Sequence, residues 1–352
     1  MEINLTSQPL VSIVTPVHNE EEHLAECIES ILAQTYQDWN YTIVDNCSTD
    51  KSLEIACRYA AKDARIQVHK NLQFLEMIPN LNQAIRQMSP ASRYCKVVLG
   101  DDWIFPGCLE RMVAAAEAYP SVGIVSAYQL EGQHVRFTGL SRARKLISGR
   151  EACRNFLLEK HWMFGSQTSV LYRADLVRNR NPFYLETNAY TDFEAAFALL
   201  RVSDLGFVHE VLSFSRPRAA SLGAICSDSG AQFRGLLDIL FTYGRECLSG
   251  DEFEECLGRE LSLYYRFLGR RVLVDYDRGF WNYHKETFTK AGISFSSLRL
   301  AKAAIRELCL SVVDPRATLD SIRRFFVLRR IRSHQIRKIV LQGTMRARPN
   351  IL

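Results

Sequence analysis

Two adjacent carboxylates, Asp101 and Asp102, close the apolar run Val97-Val98-Leu99-Gly100. A short apolar run with β-branched residues predicts a buried strand. A strand that ends in Gly-Asp-Asp delivers its acids to the carboxyl edge of a sheet, where open α/β folds bind ligands. Carboxylates side by side repel each other unless they share a cation or a proton. A divalent metal relieves that repulsion, and oxygen ligands suit Mg²⁺ or Mn²⁺. The competing reading is an acidic helix cap, because Pro106 opens a helix soon after. On this stretch alone the two readings stand even.

A second acidic cluster is Tyr190-Thr191-Asp192-Phe193-Glu194. Read from spacing, Thr191 or Asp192 caps a helix that runs to Leu200, and Glu194 is an exposed first-turn acid.

The elements that must position these acids alternate. Val11 to Val17 (VSIVTPV) is almost continuously apolar, as in a parallel strand covered on both faces. Asn19 is placed as an N-cap, and Leu24, Cys27, Ile28, Ile31 and Leu32 repeat at helical spacing. Strands are expected at Tyr41 to Val44, ending on Asp45, at Ile66 to His69, at Lys96 to Leu99 and at Val122 to Ala127. Helices are expected at Lys51 to Ala61, Leu81 to Met88 and Pro106 to Ala118. This alternation predicts a parallel sheet with helices on both faces. Glu131 to Arg150 reads as a mobile or substrate-facing connection. A helix at Glu151 to Glu159 and strands at Thr168 to Tyr172, Phe207 to Val208 and Val211 to Phe214 follow. No GxGxxG follows the first strand and no GxxxxGK[ST] occurs, which argues against a dinucleotide site and a P-loop.

Length and composition set outer bounds. A chain of 352 residues has room for about two domains. With 47% hydrophobic and 24% charged residues it can bury a sizeable core. A net charge of +5 does not by itself imply nucleic acid. The 10 cysteines are scattered with no CxxC pair, so zinc and redox motifs are not expected, and buried thiols in a reducing cytoplasm are. Met1 to Leu10 lacks the layout of a signal peptide, and no apolar run is long enough to span a bilayer. A cytoplasmic location is therefore expected.

Beyond about Ser227 the chain becomes helical in pattern, over Gln232–Leu248, Asp251–Asp275, Phe280–Ala291 and Ser297–Val312. The last stretch carries Arg323, Arg324, Arg329, Arg330, Arg332, Arg337, Lys338, Arg346 and Arg348 with no acid after Asp320. A basic amphipathic end of this kind can lie peripherally on the inner face of an anionic membrane, or pack as a solvated helix.

Four stretches together resemble a family 2 glycosyltransferase with the GT-A fold: VSIVTPVHNEEEHLAECIESILAQTYQDWNYTIVDNCSTD, Asn80 to Ile85, LGDDWIFPGCLERM, and Asp192 at the head of its helix. The resemblance covers about residues 9–222, leaving 227–352 as a separate helical region. It implies a mostly parallel sheet with helices on both faces, and an inverting transfer of one sugar from a nucleotide-diphosphate donor. The Gln-x-x-Arg-Trp motif and the membrane helices of processive synthases are absent from the sequence, which favours single transfer over polymerisation.

The resemblance also implies residue roles. Asp192 is the catalytic base, with Glu194 as the fallback. Asp102 holds Mg²⁺ or Mn²⁺ with Asp101 nearby, and Asp101 also serves the ribose or sugar hydroxyls. Asp45 hydrogen-bonds the nucleotide base, a uracil-type edge. Thr15, Pro16 and Val17 line the nucleotide slot, with Glu20 as a further candidate. Two features depart from the family: Leu99 stands where a full D-x-D has an acid, and Thr191-Asp192 replaces Glu-Asp. The implied acceptor is a saccharide or lipid-linked saccharide of bacterial surface polysaccharide or glycolipid synthesis. The alternatives are a non-catalytic nucleotide-sugar-binding domain and a nucleotidyltransferase on a similar sheet.

Overall fold

The structure, a computed structural model, describes residues 8–218, 222–272 and 277–313. The chain divides into two compact units. One takes Met1–Glu186 with Tyr190–Arg218, and the other takes Thr187–Ala189 with Ala219–Leu352.

The first unit is a 10-stranded sheet with helices. Its first half follows the expected alternation. Strand β1 (Val11–Val17) leads to helix α1 (Leu24–Leu32), β2 (Trp39–Asp45) to α2 (Ser52–Ala60), and β3 (Ile66–Lys70) to α3 (Met77–Arg86). Strand β4 (Tyr94–Val97) completes a run β3-β2-β1-β4 in which every pairing is parallel. Six of the seven β1 positions are buried, the burial that a nearly unbroken apolar strand predicts. Leu24, Cys27, Ile28 and Ile31 of α1 are buried on one face, as their spacing requires. Helix α3 starts four residues earlier than expected, because Pro79 is its third residue and a first-turn N–H is not missed. His23, not Asn19, is the residue that precedes α1.

The second half of the sheet is mixed. A two-residue strand β5 (Trp103–Ile104), helix α4 (Cys108–Glu117), the long strand β6 (Val122–Glu131) and the short strands β7 (His134–Arg136) and β8 (Leu146–Ile147) come next. Helix α5 (Gly149–Glu159), a tight 3₁₀ turn over Gln167–Ser169, strand β9 (Val170–Arg173) and helix α6 (Ala174–Arg178) follow. Helix α7 (Thr191–Leu200) and strand β10 (Asp204–Ser215) end the unit. The strand order is β3-β2-β1-β4-β9-β6-β10-β5. β9 is antiparallel to both β4 and β6, while β6 and β10 run parallel. The expected strand at Thr168–Tyr172 is thus reversed in direction and begins two residues later. The stretch Glu131 to Arg150, expected as a loose connection, contains β7 paired to β6 and β8 paired to β10. The two expected strands around Phe207 and Val211 are one strand with register shifts against β6, which hid its continuity. One apolar core fills the space between the β1–β4 half, α1, α4 and β6, including Ile13, Ile28, Tyr41, Val98, Leu109 and Met112.

The second unit is helical: α8 (Leu222–Ser229), α9 (Ala231–Ile239), a π-turn over Leu240–Gly244, α10 (Arg245–Cys247), α11 (Gly250–Arg271), α12 (Arg278–Lys290) and α13 (Ser297–Val313). Ser249 and Glu252 close a reciprocal capping box at the start of α11. Tyr264, Leu268 and Phe288 form a separate core with Leu237, Leu261 and Tyr265. Gly269 lets α11 and α13 touch, since a Cβ there would lie 2.8 Å from the Ala303 carbonyl carbon. Glu307 bridges Arg266 and Arg270 across the same contact. Among the described residues no helix is long and apolar enough to cross a membrane. The basic stretch from Arg323 to Arg348 lies outside the described residues.

Candidate active site

The carboxyl ends of β1, β2 and β4 meet on one edge of the parallel half-sheet. Thr15 near the end of β1 is fully buried, and its Oγ1 accepts a 2.9 Å bond from the Tyr41 hydroxyl. Its side chain therefore holds two strands together. Val17 is buried, and its carbonyl accepts from the Asn46 N–H at 2.8 Å, which leaves half-buried Pro16 as the β1 residue nearest the surface. Asn19 adopts a left-handed conformation with φ of 55°. Its N–H donates to Ser48 Oγ at 3.1 Å and its Oδ1 accepts from the Thr49 N–H at 2.8 Å. It joins the loops after β1 and β2, so the expected capping role falls away. The Glu20 carbonyl starts the turn into α1 by accepting from the N–H groups of His23 and Leu24.

Asp45 ends β2 at 4% exposure. Its Oδ2 lies 3.4 Å from the Ser48 N–H, while its buried Oδ1 has no hydrogen-bond partner. A buried acceptor without a donor costs on the order of 1–3 kcal/mol. Around it, Asn46 holds the loop after β3 in place. Asn46 Nδ2 donates to the Leu75 carbonyl at 2.7 Å, and its Oδ1 accepts from the Leu75 N–H and from Asn71 Nδ2, both at 2.9 Å. The exposed His18 ring meets Phe74 of that loop edge-on at 4.9 Å.

The two acids after β4 have different surroundings. Asp102 is 2% exposed. Its Oδ2 accepts from Thr168 Oγ1 at 2.6 Å and its Oδ1 from the Arg216 N–H at 3.1 Å. Burial pushes its carboxyl up to about 7, and the charge of Asp101 adds to the rise. Asp101 is more open, with its side chain 17% exposed and its Oδ2 2.8 Å from Arg218 Nε. Asp101 is thus the more open of the pair, while each oxygen of Asp102 already accepts a hydrogen bond inside the protein. Beneath them lies fully buried Lys96, whose Nζ donates to the carbonyls of Thr168 at 2.6 Å and Val170 at 3.1 Å. Burial lowers its pKa. Lys96 thereby ties β4 to the turn that presents Thr168 to Asp102. Sequence reasoning missed Lys96 and Thr168, because nothing local marks a lysine in a strand as buried or a threonine as an acid's partner.

Asp192 lies in the first turn of α7, half-buried, with Oδ1 accepting from the Phe193 N–H at 2.9 Å. Burial pushes its carboxyl up to about 6, against the lowering effect of that backbone bond. Glu194 is 3% exposed, not a surface acid, and both its oxygens meet Arg180 Nη2, at 2.7 and 2.6 Å. An acid clamped in this way is a poor fallback base.

Among the described residues no three His, Cys, Asp or Glu side chains gather as a metal-ligand set. Two observations still fit a divalent cation beside Asp101. A guanidinium stands there as a cation between Asp101 and Glu20. Gly100 keeps the spot open, since a Cβ would lie 3.3 Å from Glu20 Cγ and 3.6 Å from the Pro16 carbonyl oxygen. Mg²⁺ commonly needs only one or two carboxylates when substrate phosphates complete its shell.

Residues 12–180 match the family described as Glycosyl transferase family 2. The uncharacterized glycosyltransferase EpsJ of Bacillus subtilis is 37% identical over 111 residues, 31% of this chain and 31% of that protein. The glycosyltransferase GlyG of Streptococcus pneumoniae is 24% identical over 232 residues, 60% of this chain and 72% of that protein. The chain spans less than half the length of several of the curated relatives it matches. Among solved structures, Staphylococcus aureus TarS 1–349 in complex with UDP-GlcNAc superposes with a TM-score of 0.60 at 16% identity, covering 84% of this chain and 87% of that one. The mannosyltransferase PcManGT of Pyrobaculum calidifontis, in complex with GDP-Man and Mn²⁺, gives 0.52 at 14% identity, covering 92% and 86%. The fold is GT-A, with a helical region after it.

Proposed function

We propose, from the premise that residues 12–180 match glycosyl transferase family 2, that the protein moves a single sugar from a nucleotide-diphosphate donor to a hydroxyl acceptor, with inversion. The observation that carries this reading is Asp45 Oδ1, a buried acceptor that lacks a donor at the carboxyl end of a parallel strand. A nucleobase imide or amide N–H is a donor of the right kind, and supplying it repays the cost of leaving that oxygen unpaired.

The chemistry follows from the acids. The acceptor oxygen attacks the anomeric carbon while the bond from that carbon to the diphosphate oxygen breaks. Asp192 takes the hydroxyl proton on its carboxylate. A base with its pKa near 6 is ionised at neutral pH and still basic enough to accept a proton in the transition state. Attack opposite the leaving group inverts the centre, so an α-linked donor gives a β-linked product. Mg²⁺ or Mn²⁺, when bound, adds positive charge against the leaving diphosphate, and Asp101 would hold it. Thr168 and Lys96 fix the Asp102 side of the loop, so that Asp101 is held at the sheet edge.

The acceptor we propose is a saccharide or lipid-linked saccharide in bacterial surface polysaccharide or glycolipid synthesis. The test is a product assay with UDP-, GDP- and dTDP-sugars, spanning the UDP-GlcNAc of TarS and the GDP-Man of PcManGT. Release of nucleoside diphosphate with one donor is expected. Release of pyrophosphate, or no nucleotide binding at all, refutes the reading.

A further inference from the structure

Helix α13 divides its apolar residues between two faces. Leu300, Ala303 and Ala304 turn inward, toward the core of the second unit. Leu298, Ile305 and Leu308 do not: they are 67%, 60% and 42% exposed. With exposed Ala301 they follow one another at helical steps of three and four residues, which sets them on one ridge. From Leu298 to Leu308 that ridge runs about 15 Å. Arg299, Lys302 and Arg306, all exposed, repeat at the same steps immediately beside it. The one acid of α13, Glu307, points the other way and bridges Arg266 and Arg270 of α11. The outer face of α13 is thus an apolar ridge edged by a basic stripe.

Few partners satisfy both halves of this face. Water leaves the apolar ridge exposed at a cost. A second copy would bring a matching ridge, but α13 has no outward acid to pair with the basic stripe. Residues 314–352 carry ten Arg and Lys against two Asp, so that part of the chain repels the stripe. An anionic lipid surface satisfies both halves at once. Acyl chains take the ridge, and headgroup phosphates take the guanidinium and ammonium groups. Arg and Lys stems lie along apolar surroundings while their charged ends reach the headgroups. Among the described residues no helix is long and apolar enough to cross a bilayer, so α13 would lie in the plane of the surface.

We propose that the outer face of α13 docks the protein on an anionic lipid bilayer, with Leu298, Ile305 and Leu308 entering the acyl boundary and Arg299, Lys302 and Arg306 pairing with headgroup phosphates. This surface is distinct from the basic stretch Arg323 to Arg348, which adds attraction but has no part in the ridge. The proposal stands without the sugar-transfer reading; where that reading holds, docking favours the lipid-linked acceptor over a free saccharide. Each basic residue near an anionic surface strengthens binding about fivefold, so the stripe contributes roughly 100-fold.

The experiment mixes the full chain with vesicles of phosphatidylcholine and phosphatidylglycerol, or of phosphatidylcholine alone, and reads the bound fraction by flotation. Wild type is expected on the anionic vesicles and not on the neutral ones. Leu298→Gln with Ile305→Gln should weaken partitioning at least about tenfold. Arg299→Gln, Lys302→Gln and Arg306→Gln together should weaken it by roughly 100-fold. All five side chains are exposed and glutamine is a good helix former, so melts without lipid should match wild type. The proposal is overturned if wild type stays off the anionic vesicles or binds the neutral ones as well. It is overturned too if either set of substitutions leaves binding unchanged, since the basic stretch would then be the anchor by itself. A lower melting temperature of Leu298→Gln with Ile305→Gln in the absence of lipid would also overturn it. The ridge would then be covered by the chain itself or by a second copy, which sedimentation over a range of concentrations tells apart.

Discussion

Asp192→Asn should inactivate the protein and stabilise it, and the two effects have one cause. The carboxyl of Asp192 is pushed up to about 6 in the folded chain by burial, against an ordinary value of 3.8. Between those two pH values the folded state holds a proton that the unfolded state has released. Stability therefore falls as pH rises through that window, and the full penalty is present above about pH 6. A gap of about 2 pH units corresponds to about 3 kcal/mol at most. Asparagine carries no charge, and its side-chain oxygen can still accept from the Phe193 N–H, so the native bond survives the change. At pH 7.5 the variant should melt higher, by about 6–12 °C at the upper bound for a domain of this size. The difference should shrink as pH falls and vanish near pH 4. Sugar transfer should drop by at least about 10²–10⁴-fold, since a positioned base contributes on that order. Nucleotide affinity should not change. Thermal melts from pH 4 to 8, a transfer assay and nucleotide titration read the three quantities. A variant no more stable than wild type at pH 7.5, or a stability gain independent of pH, would show that the charge is not buried at a cost. Near-normal transfer would remove Asp192 as the base.

Asp45→Ala should weaken nucleotide binding by about tenfold or more in calorimetric titration, because the buried acceptor is lost; unchanged affinity would take the base contact away from Asp45. Thr168→Val leaves Asp102 Oδ2 without its 2.6 Å donor and should cost about 1–3 kcal/mol in urea unfolding, with Thr168→Ser near wild type. Glu194→Ala strands the Arg180 guanidinium and should destabilise by about 3 kcal/mol or more. If that variant is instead well folded and inactive, Glu194 rather than Asp192 is the base. Chelation with EDTA should stop transfer and Mn²⁺ should restore it; full turnover in chelator would count against a metal at Asp101.

The parallel half of the sheet was legible because its rules are local. A nearly unbroken apolar run at Val11–Val17 and a helical repeat from Leu24 to Ile31 can each be read within a few consecutive residues. Asp101 and Asp102 stood out by their place at the end of a strand, whereas the site roles of Asp45 and Asp192 came from the family resemblance, since position alone marked Asp192 only as a helix cap. What could not be read was who faces whom. Asp101 and Asp102 are neighbours in sequence, yet only the second meets Thr168, 66 residues away, and that contact decides which of them is open. Glu194 looked like a surface acid because its partner Arg180 lies beyond the reach of helical periodicity. Arg216 and Arg218 could be named as basic residues after a strand, but not as partners of acids from the first turns of the chain. The direction of β9 was equally hidden, since a strand of only four residues, VLYR, carries no local mark of whether its neighbours run parallel or antiparallel.

That reversed strand has a consequence for how the chain is made. β4 and β6 are not neighbours in the finished sheet; β9 lies between them, and it is synthesised some 70 residues after β4. As the chain leaves the ribosome, β4 and β6 must each wait with an open backbone edge for that four-residue strand to arrive. Closure of the sheet is then a late, long-range event, which favours slow folding and exposes edges that can pair with another nascent chain. Premature termination between residues 131 and 170 would leave those edges unfilled for good. Such fragments are expected to aggregate even though they retain Asp45, Asp101 and Asp102 and most of the β1–β4 core.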